Sequence, residues 1–555
     1  MSAQRRPTHR ERTPEPRSGR HRRTSPPPQR RSRAPRQVAA ARAGISTYGR
    51  PRAQGRGGAL LLVVLLVLGV LGAAAAFVFT RPVGATITVD PQDCTVAACS
   101  SEASGTLELG DLTPGVYPVR VTRPGYAPLD TTIDVRRFSA NEFAFAMEPL
   151  PQTISLTTHP GGASCRVLAE GIEVLSGTES LEGTLPAGPV TVEVALAGYN
   201  TFTRELFLDR ATALDVWLDP EGQVVSSRGL LTSAGAPKGV QITPDGRELW
   251  ATVLNGPPSV EIWDLETMRL AGTIDLGVNG AVEILFNSEG TKAYASQMET
   301  ALVFEIDVAA RTVSRTFDTE SAWTKVVELS PDEQTLYAAN WSGDDVSVID
   351  LATGELRTRI RVADTPRGLY ATEDGASLYV AGFGGGELQR IDLATGTVTD
   401  LFDSDGALRH IVGNDATGKL YISDMARDCI WLHDMATGET TKFTDTDEKP
   451  NTIDLSPDGK VLYVSCRGEN NSVSYYIPGP EWGTILLFDA ANATPLDAIV
   501  GGNQCTALDV ADDGRTLVFS DFLDSRMRVY AVPEFDVLAA GNGGRWEQHF
   551  ADLVK

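Results

Sequence analysis

The chain is poor in the residues that build metal centres and disulfide frameworks. It has six cysteines and six histidines among 555 residues. No two cysteines form a Cys-x-x-Cys pair and no histidine stands at zinc-finger spacing, so the sequence argues against a metal site. Cys94 and Cys99 are close enough in sequence to staple one loop. They form either a disulfide, which would suit a location outside the cytoplasm, or two free thiols.

The sequence also lacks the motifs of common catalytic sites. No GxSxG nucleophile elbow, HExxH zinc motif, Walker loop or GxGxxG run stands in a context that would support one. The glycine-rich run 382–386 falls between two predicted strands, so we interpret it as a loop. We therefore assign no catalytic residue, no metal and no cofactor from the sequence.

A net positive charge is confined to one end of the chain. Residues 1–57 contain sixteen arginines, no lysine and only two acids, a net charge of +14 within a total of -23. Their Arg, Pro and Ser content predicts a disordered tail, because such a segment cannot bury enough apolar surface to fold. The remaining residues are strongly acidic and would repel nucleic acid and anionic lipid. We expect a soluble surface and no nucleic-acid partner.

An uncharged run follows the basic tail. Residues 59–79 are mostly Leu, Val and Ala, long enough to cross a membrane as one helix, which we place at 58–80. A cleavable signal peptide is the alternative, since Ala73–Ala76 offer small residues for cleavage. With an uncleaved anchor, the positive-inside rule places the N-terminus in the cytoplasm. The later domains would then be periplasmic or on the cell surface.

A turn signal occurs seven times between about residues 223 and 533. Each copy separates two short apolar runs, and two further runs follow it, which makes four strands per unit. The signals are TPDG (243–246), NSEG (287–290), SPDE (330–333), TEDG (372–375), NDATG (414–418), SPDG (456–459) and ADDG (511–514). All but the last of their spacings are 41 to 44 residues. This period is typical of a β-propeller, here with seven blades, followed by a C-terminal tail at 534–555.

The third unit carries a family resemblance. It reads SPD (330–332), LYAAN (336–340) and DVSVID (345–350), and it is similar to the YVTN-type propeller repeat of bacterial and archaeal surface proteins. The resemblance covers all seven units. The sixth departs from it through an insertion at 469–483, which produces a spacing of 55 residues. This insertion is either a functional loop or a tolerated surface segment.

An aspartate ends the third strand in six of the seven units. A group repeated this regularly is predicted to fix a turn through hydrogen bonds rather than to catalyse or to bind a metal. These residues are Asp264, Asp307, Asp350, Asp392, Asp434 and Asp489.

Two small all-β modules are predicted between the apolar run and the propeller, at 84–149 and 150–220. In the second module, Pro160–Ala163 and Ala197–Tyr199 flank alternating apolar runs. In the first module, Pro124–Tyr126 corresponds to Ala197–Tyr199. These motifs resemble the PEGA domain, a small extracytoplasmic sandwich. The resemblance implies a spacer or a surface adhesion module. The first module has Pro91–Cys94 where the family's naming motif would stand.

The register of the repeat aligns one position near the start of each innermost strand. It holds Lys238, Val282, Lys325, Arg367, Arg409, Asn451 and Thr506. Innermost strands start at one mouth of the channel, so Lys238, Lys325, Arg367 and Arg409, with His410 beside them, predict a positive rim for a carboxylate or phosphate ligand. Alternatively, the cations pair with neighbouring acids such as Asp364 and Asp245 and only hold the blades together.

The sequence therefore predicts an all-β chain in which one transmembrane helix and two sandwiches precede a seven-bladed propeller. We expect Val224–Thr232 to close the ring as the outer strand of the last blade. The favoured function is an extracytoplasmic binding or scaffold protein for a cell-envelope protein, a glycan or a small anionic ligand. A lactonase-like or lyase-like enzyme acting at the channel mouth and a membrane sensor are the alternatives.

Overall fold

The computed structural model of the chain describes residues 56–555 except 256, 258 and 278. The described residues divide into two compact units, 56–81 and 82–555. The basic tail, whose disorder the composition predicts, lies outside the described residues except for its last two positions.

The first unit contains one long apolar helix, α1 (Arg56–Thr80). Within it, Leu61–Thr80 has the length and composition of a membrane span. A signal sequence near an N-terminus would meet the same criteria. The predicted helix is therefore present, and its length and composition fit both an anchor and a signal sequence.

The first β-module has a core enclosed by two sheets, ordered β4-β1-β7 and β3-β2-β5-β6. Strands β1 and β7 are parallel. Alternate residues of β1, such as Ile87 and Val89, are buried because one face of the strand packs on the core. The strands are β1 (Val83–Asp90), β2 (Thr95–Ala98), β3 (Ser101–Ser104), β4 (Thr106–Leu112), β5 (Gly115–Thr122), β6 (Leu129–Val135) and β7 (Glu142–Ala146).

The second β-module repeats this strand order. Its seven strands form one sheet, ordered β13-β12-β9-β10-β11-β8-β14, because Thr178 of β10 pairs with Ser180 of β11. The strands are β8 (Pro151–His159), β9 (Ser164–Ala169), β10 (Ile172–Thr178), β11 (Ser180–Pro186), β12 (Gly188–Ala195), β13 (Phe202–Leu208) and β14 (Thr212–Trp217). The shared topology shows that the two modules are copies of one plan.

The two cysteines in the first module do not form a disulfide. Cys94 is buried in the module core and Cys99 is exposed at the turn after β2, and both are free. Of the two alternatives, the structure has the two free thiols, because one side chain points into the core and the other points to solvent.

Seven four-stranded antiparallel blades follow, as the sequence period predicts. Blades one and two are β16 (Pro237–Ile242), β17 (Glu248–Val253), β18 (Val260–Asp264), β19 (Arg269–Ile274), and β20 (Glu283–Phe286), β21 (Lys292–Gln297), β22 (Leu302–Asp307), β23 (Thr312–Asp318). Blades three and four are β24 (Thr324–Leu329), β25 (Thr335–Asn340), β26 (Asp345–Asp350), β27 (Leu356–Arg361), and β28 (Pro366–Ala371), β29 (Ser377–Gly382), β30 (Glu387–Asp392), β31 (Thr397–Asp403). Blades five and six are β32 (Leu408–Asn414), β33 (Lys419–Asp424), β34 (Cys429–Asp434), β35 (Thr440–Asp445), and β36 (Pro450–Leu455), β37 (Val461–Cys466), β38 (Thr484–Asp489), β39 (Pro495–Val500).

The seventh blade closes the ring with a strand from the start of the domain. Its strands β40 (Cys505–Val510), β41 (Thr516–Asp521) and β42 (Arg526–Ala531) are completed by β15 (Ser226–Thr232), which pairs with β42. The predicted closure is confirmed. The C-terminal residues form the short helix α2 (Phe535–Ala540) and a 3-10 turn, Gln548–Asp552.

Burial across a blade follows the strand order. The second strand of blade three, β25, is buried at all six positions because both of its faces pack on neighbouring blades. The fourth strand, β27, is largely exposed and reads LRTRIR. In this blade the second strand is thus apolar and buried, and the fourth is polar and faces solvent.

The repeated aspartates fix turns, as predicted. Asp350 Oδ1 accepts the backbone N–H of Thr353 at 2.8 Å, and Asp392 Oδ1 accepts that of Thr395 at 2.8 Å. Equivalent bonds are made by Asp264, Asp307, Asp434 and Asp489. Each carboxylate satisfies backbone donors at the end of a third strand.

Candidate ligand site at the channel mouth

The four predicted rim cations occupy the second position of their inner strands. We call Lys238, Lys325, Arg367 and Arg409 the cationic ring. Each lies where pairing with the second strand shifts: in blade three, Thr324 pairs with Asn340 and Val326 with Ala339, which leaves Lys325 unpaired. The same irregularity occurs in the other three blades. A β-bulge of this kind changes the direction in which the side chain of the extra residue points.

Hydroxyl groups on the second strands hold the bulges of blades one and five. The backbone N–H of His410 donates to Ser423 Oγ at 3.1 Å, and Ser423 Oγ donates to the carbonyl of Asn451 at 2.7 Å. In blade one, the N–H of Gly239 donates to Thr252 Oγ1 at 2.8 Å, and that hydroxyl donates to the carbonyl of Val282 at 3.1 Å. Each hydroxyl thus links its own bulge to the equivalent ring position of the next blade.

The cationic ring lines one cavity of about 250 Å³, together with Arg467. The exposed fractions of Arg367, Arg409 and Arg467 are 4%, 6% and 7%. Within the described residues, no carboxylate oxygen lies within 4.0 Å of a charged nitrogen of these five side chains. Asp245, one of the acids that could have paired with them, lies 3.8 Å from Arg247 instead. The cations therefore do not serve as blade-to-blade salt bridges in the described part of the chain.

Several donors in this region have no acceptor. Arg367 Nη1 and Arg467 Nε are buried without a hydrogen-bond partner. Both polar side-chain atoms of Asn451, at the equivalent register position of blade six, are also unpartnered. Buried guanidinium donors without acceptors are costly, so the cavity is suited to a ligand that supplies acceptor oxygens.

A second layer of the cavity is apolar. The residue immediately after the second strand reaches the cavity in five successive blades, and we call this set the apolar ring: Leu254, Met298, Trp341, Phe383 and Met425. In blade six this position is Arg467. Lys325 Nζ lies 3.4 Å from the centroid of Trp341, and the rings of Trp341 and Phe383 lie 4.8 Å apart. The cavity therefore combines cations with an apolar wall.

The blade-six insertion covers part of the cavity. Lys238 Nζ donates to Tyr475 Oη at 3.2 Å, and the Arg467 guanidinium carbon lies 4.5 Å from the centroid of Tyr475. The C-terminus supports this loop, since Lys555 Nζ donates to the carbonyl of Gly479 at 2.8 Å. Register reasoning missed Tyr475 and Arg467. The only sequence signal of Tyr475 was the insertion itself, whereas Arg467 stands at the position directly after the second strand of its blade.

The proximity of the cations changes their proton affinity. Burial, and then the charges of Arg367 and Arg409, lower the pKa of Lys325 to about 6. Burial, and then the charges of Arg409 and Arg467, lower the pKa of Lys238 well below its usual range. Arginine stays charged in proteins because its intrinsic pKa is above 12. The lysines are therefore the groups that give up protons in the empty site.

The structure does not bring His410 into this cavity. The bulge at Arg409 turns consecutive side chains in different directions, and His410 lines a separate cavity of about 690 Å³ with Glu283, Glu328 and Asp454. Its Nδ1 accepts the backbone N–H of Ile453 at 3.4 Å. Burial, and then the charge of Arg409, lower the pKa of His410 to about 3, so it is neutral.

The carboxylates of the second cavity connect neighbouring inner strands. Asp509 Oδ2 accepts the N–H of Ile242 at 2.7 Å, and Asp454 Oδ2 accepts that of Val510 at 3.0 Å. Burial raises the pKa of Asp454 to about 7 and that of Glu328 to about 8. No cluster of three or more His, Cys, Asp or Glu suited to a metal occurs among the described residues. We attribute these acids to blade-to-blade hydrogen bonding.

Known proteins share the propeller. Residues 283–540 match the family model described as lactonase, 7-bladed beta-propeller. Over 262 residues the chain is 37% identical to antigen Lp49 of Leptospira interrogans, a match that covers 45% of this chain and 57% of that protein. The chain thus matches little more than half the length of this relative. A structure of hydrazine synthase from Kuenenia stuttgartiensis aligns with a TM-score of 0.47 at 16% identity, over 54% of this chain and 97% of that one.

Proposed function

We propose that the propeller binds a small organic anion in the cavity formed by the cationic ring and Arg467. One observation carries the proposal: five cationic side chains converge on an enclosed cavity with no carboxylate within 4.0 Å and with buried donors unsatisfied. Like charges that line one cavity repel, and burial together with this repulsion lowers the pKa values of Lys238 and Lys325 in the empty site. A carboxylate or phosphate would relieve that repulsion and accept the free hydrogen bonds.

The proposal predicts that anions stabilise the protein. The melting temperature of the full chain should rise with sulfate or acetate concentration, measured against chloride at constant ionic strength, because a ligand of the native state stabilises it by mass action. Replacing both arginines, Arg367→Gln and Arg409→Gln, should abolish this rise and leave the anion-free protein at least as stable. The matched control, Arg247→Gln with Arg269→Gln on the outer surface, should keep it. A parent protein indifferent to both anions would contradict the proposal.

Turnover of the bound molecule is the second candidate function. The match to the lactonase family model favours it, since hydrolysis of a lactone produces a hydroxycarboxylate, an anion of the kind that the cavity suits. The same preparations distinguish the two functions. An enzyme would consume an added lactone, with loss of activity in the Arg367→Gln, Arg409→Gln variant, whereas a binding protein would leave the lactone unchanged.

We place this binding site outside the cytoplasmic membrane. Helix α1 would remain as an anchor, with the basic tail retained in the cytoplasm. Protease added to intact spheroplasts should then digest the propeller and leave the tail protected, while the full chain resists extraction from membranes by carbonate. A mature protein that begins near Phe77 would show instead that the segment is a cleaved signal sequence.

A further inference from the structure

The cavity has two chemically different layers, and the repeat builds both of them. Inner strands supply the cationic ring from their second position, and the residues that follow the second strands supply the apolar ring. Phe383 shares blade four with Arg367, and Met425 shares blade five with Arg409. A charged layer and an apolar layer of this kind fit a ligand with a charged end and an apolar body.

We infer that the ligand is a carboxylate with a ring-sized apolar body, held by its carboxylate at the cationic ring and by its body at the apolar ring. This inference rests on the proposed function and specifies its ligand class. An inorganic anion would satisfy the free donors of Arg367 and Arg467 but would leave Met298, Phe383 and Met425 against water. Water forms no hydrogen bonds with such an apolar surface, whereas an apolar ligand body removes the surface from solvent.

The dimensions of the cavity agree with this ligand class. Its volume is about 250 Å³. An apolar cavity of roughly 150 Å³ is enough to hold one benzene ring. A single ring with a carboxylate therefore fits beneath Tyr475, which the blade-six insertion places over the cations.

The arginines also favour a carboxylate over a compact inorganic ion. Arg367, Arg409 and Arg467 come from blades four, five and six, and Tyr475 Oη lies beside Lys238. A planar carboxylate can receive paired guanidinium donors on one side. The body of the molecule, attached through the remaining bond of the carboxylate carbon, can then contact the apolar ring that lines the same cavity.

Isothermal titration calorimetry with benzoate, cyclohexanecarboxylate, acetate and sulfate tests this inference on the full chain in a non-ionic detergent. Benzoate and cyclohexanecarboxylate should bind at least tenfold more tightly than acetate or sulfate. Benzyl alcohol, which has the ring but no carboxylate, serves as a control. It measures how strongly the ring binds without the charge and how much of it partitions into the detergent. The variant Phe383→Ser with Met425→Ser should reduce the preference for ring carboxylates over acetate to less than threefold. The control Leu270→Ser, at an exposed apolar position on an outer strand, should bind as the parent does.

The outcomes separate this inference from the proposed function. Equal affinities for all four anions would overturn the ligand class and leave anion binding intact. A preference for ring carboxylates that survives in the Phe383→Ser, Met425→Ser variant would also overturn it, because the apolar ring would not be the contact. Failure of all four anions to bind would reject the proposed function itself.

Discussion

Anion affinity should fall at least about tenfold for each unit of pH between about 7 and 9. In the empty site the pKa of Lys325 is about 6, so this lysine is mostly neutral across that range. A bound carboxylate favours the ammonium form and raises the pKa, so each binding event takes up a proton. Proton uptake of this kind gives a slope of minus one in the logarithm of affinity against pH for each lysine involved. Below pH 6, where Lys325 is already charged, its contribution should vanish.

Calorimetry in buffers of different ionisation enthalpy measures this proton uptake directly. Lys238 has a depressed pKa as well, so uptake above one proton is expected in the parent. The conservative variant Lys325→Arg keeps the charge at every pH in this range and should reduce uptake by one proton. Affinity that is constant between pH 7 and 9, or uptake that Lys325→Arg does not change, would show that the lysines are not linked to the anion.

The variant Asp497→Asn should destabilise the propeller on the order of 3 kcal/mol, because two buried N–H groups lose their acceptor. Asp497 is fully buried. Its Oδ2 accepts the N–H of Val224 at 2.7 Å and of Val225 at 3.0 Å, and its Oδ1 accepts those of Ala498 and Arg545. It thus joins blade six to both ends of the domain. The asparagine side chain has only one oxygen. Whichever way its amide is oriented, its NH2 group faces one of these two pairs of N–H groups and cannot accept their hydrogen bonds.

Denaturant unfolding of the full chain, followed by tryptophan fluorescence, measures this loss. Asp536→Asn, a surface change in the first turn of α2, provides the control and should shift the midpoint negligibly. Limited proteolysis should cut the Asp497→Asn variant first near Val224 and within the C-terminal residues. If the two variants unfold at the same denaturant concentration, Asp497 does not secure the ring.

The repeat made most of the propeller predictable. Turn signals fixed the seven blades, the strand-end aspartates and the closing strand, because each depends on local periodicity. The same register identified Lys238, Lys325, Arg367 and Arg409. It could not show that a bulge turns His410 away, since a bulge is a property of strand pairing rather than of spacing.

Other parts of the site depend on contacts between distant segments. Tyr475 reaches Lys238 only because the insertion folds back over the channel and the C-terminal Lys555 holds it there. The apolar ring, in contrast, had a sequence signal: a large side chain follows the second strand in each of the seven units. The state of Cys94 and Cys99 could not be predicted from their spacing, because closeness in sequence does not show which side chain faces a core.

The pairing of β15 with β42 determines the order in which the domain can be completed. Ser226 of β15 pairs with Ala531 of β42. The first strand of the propeller to be synthesised therefore cannot form these hydrogen bonds until the last strand has been synthesised. Until translation has passed Ala531, the growing chain has an unsatisfied edge at β15 and an open gap where blade seven belongs. Contacts this distant in sequence make folding slow and expose strand edges to aggregation. Closure therefore cannot precede the synthesis of β42, and a chain truncated before β42 cannot form the ring as it is seen here.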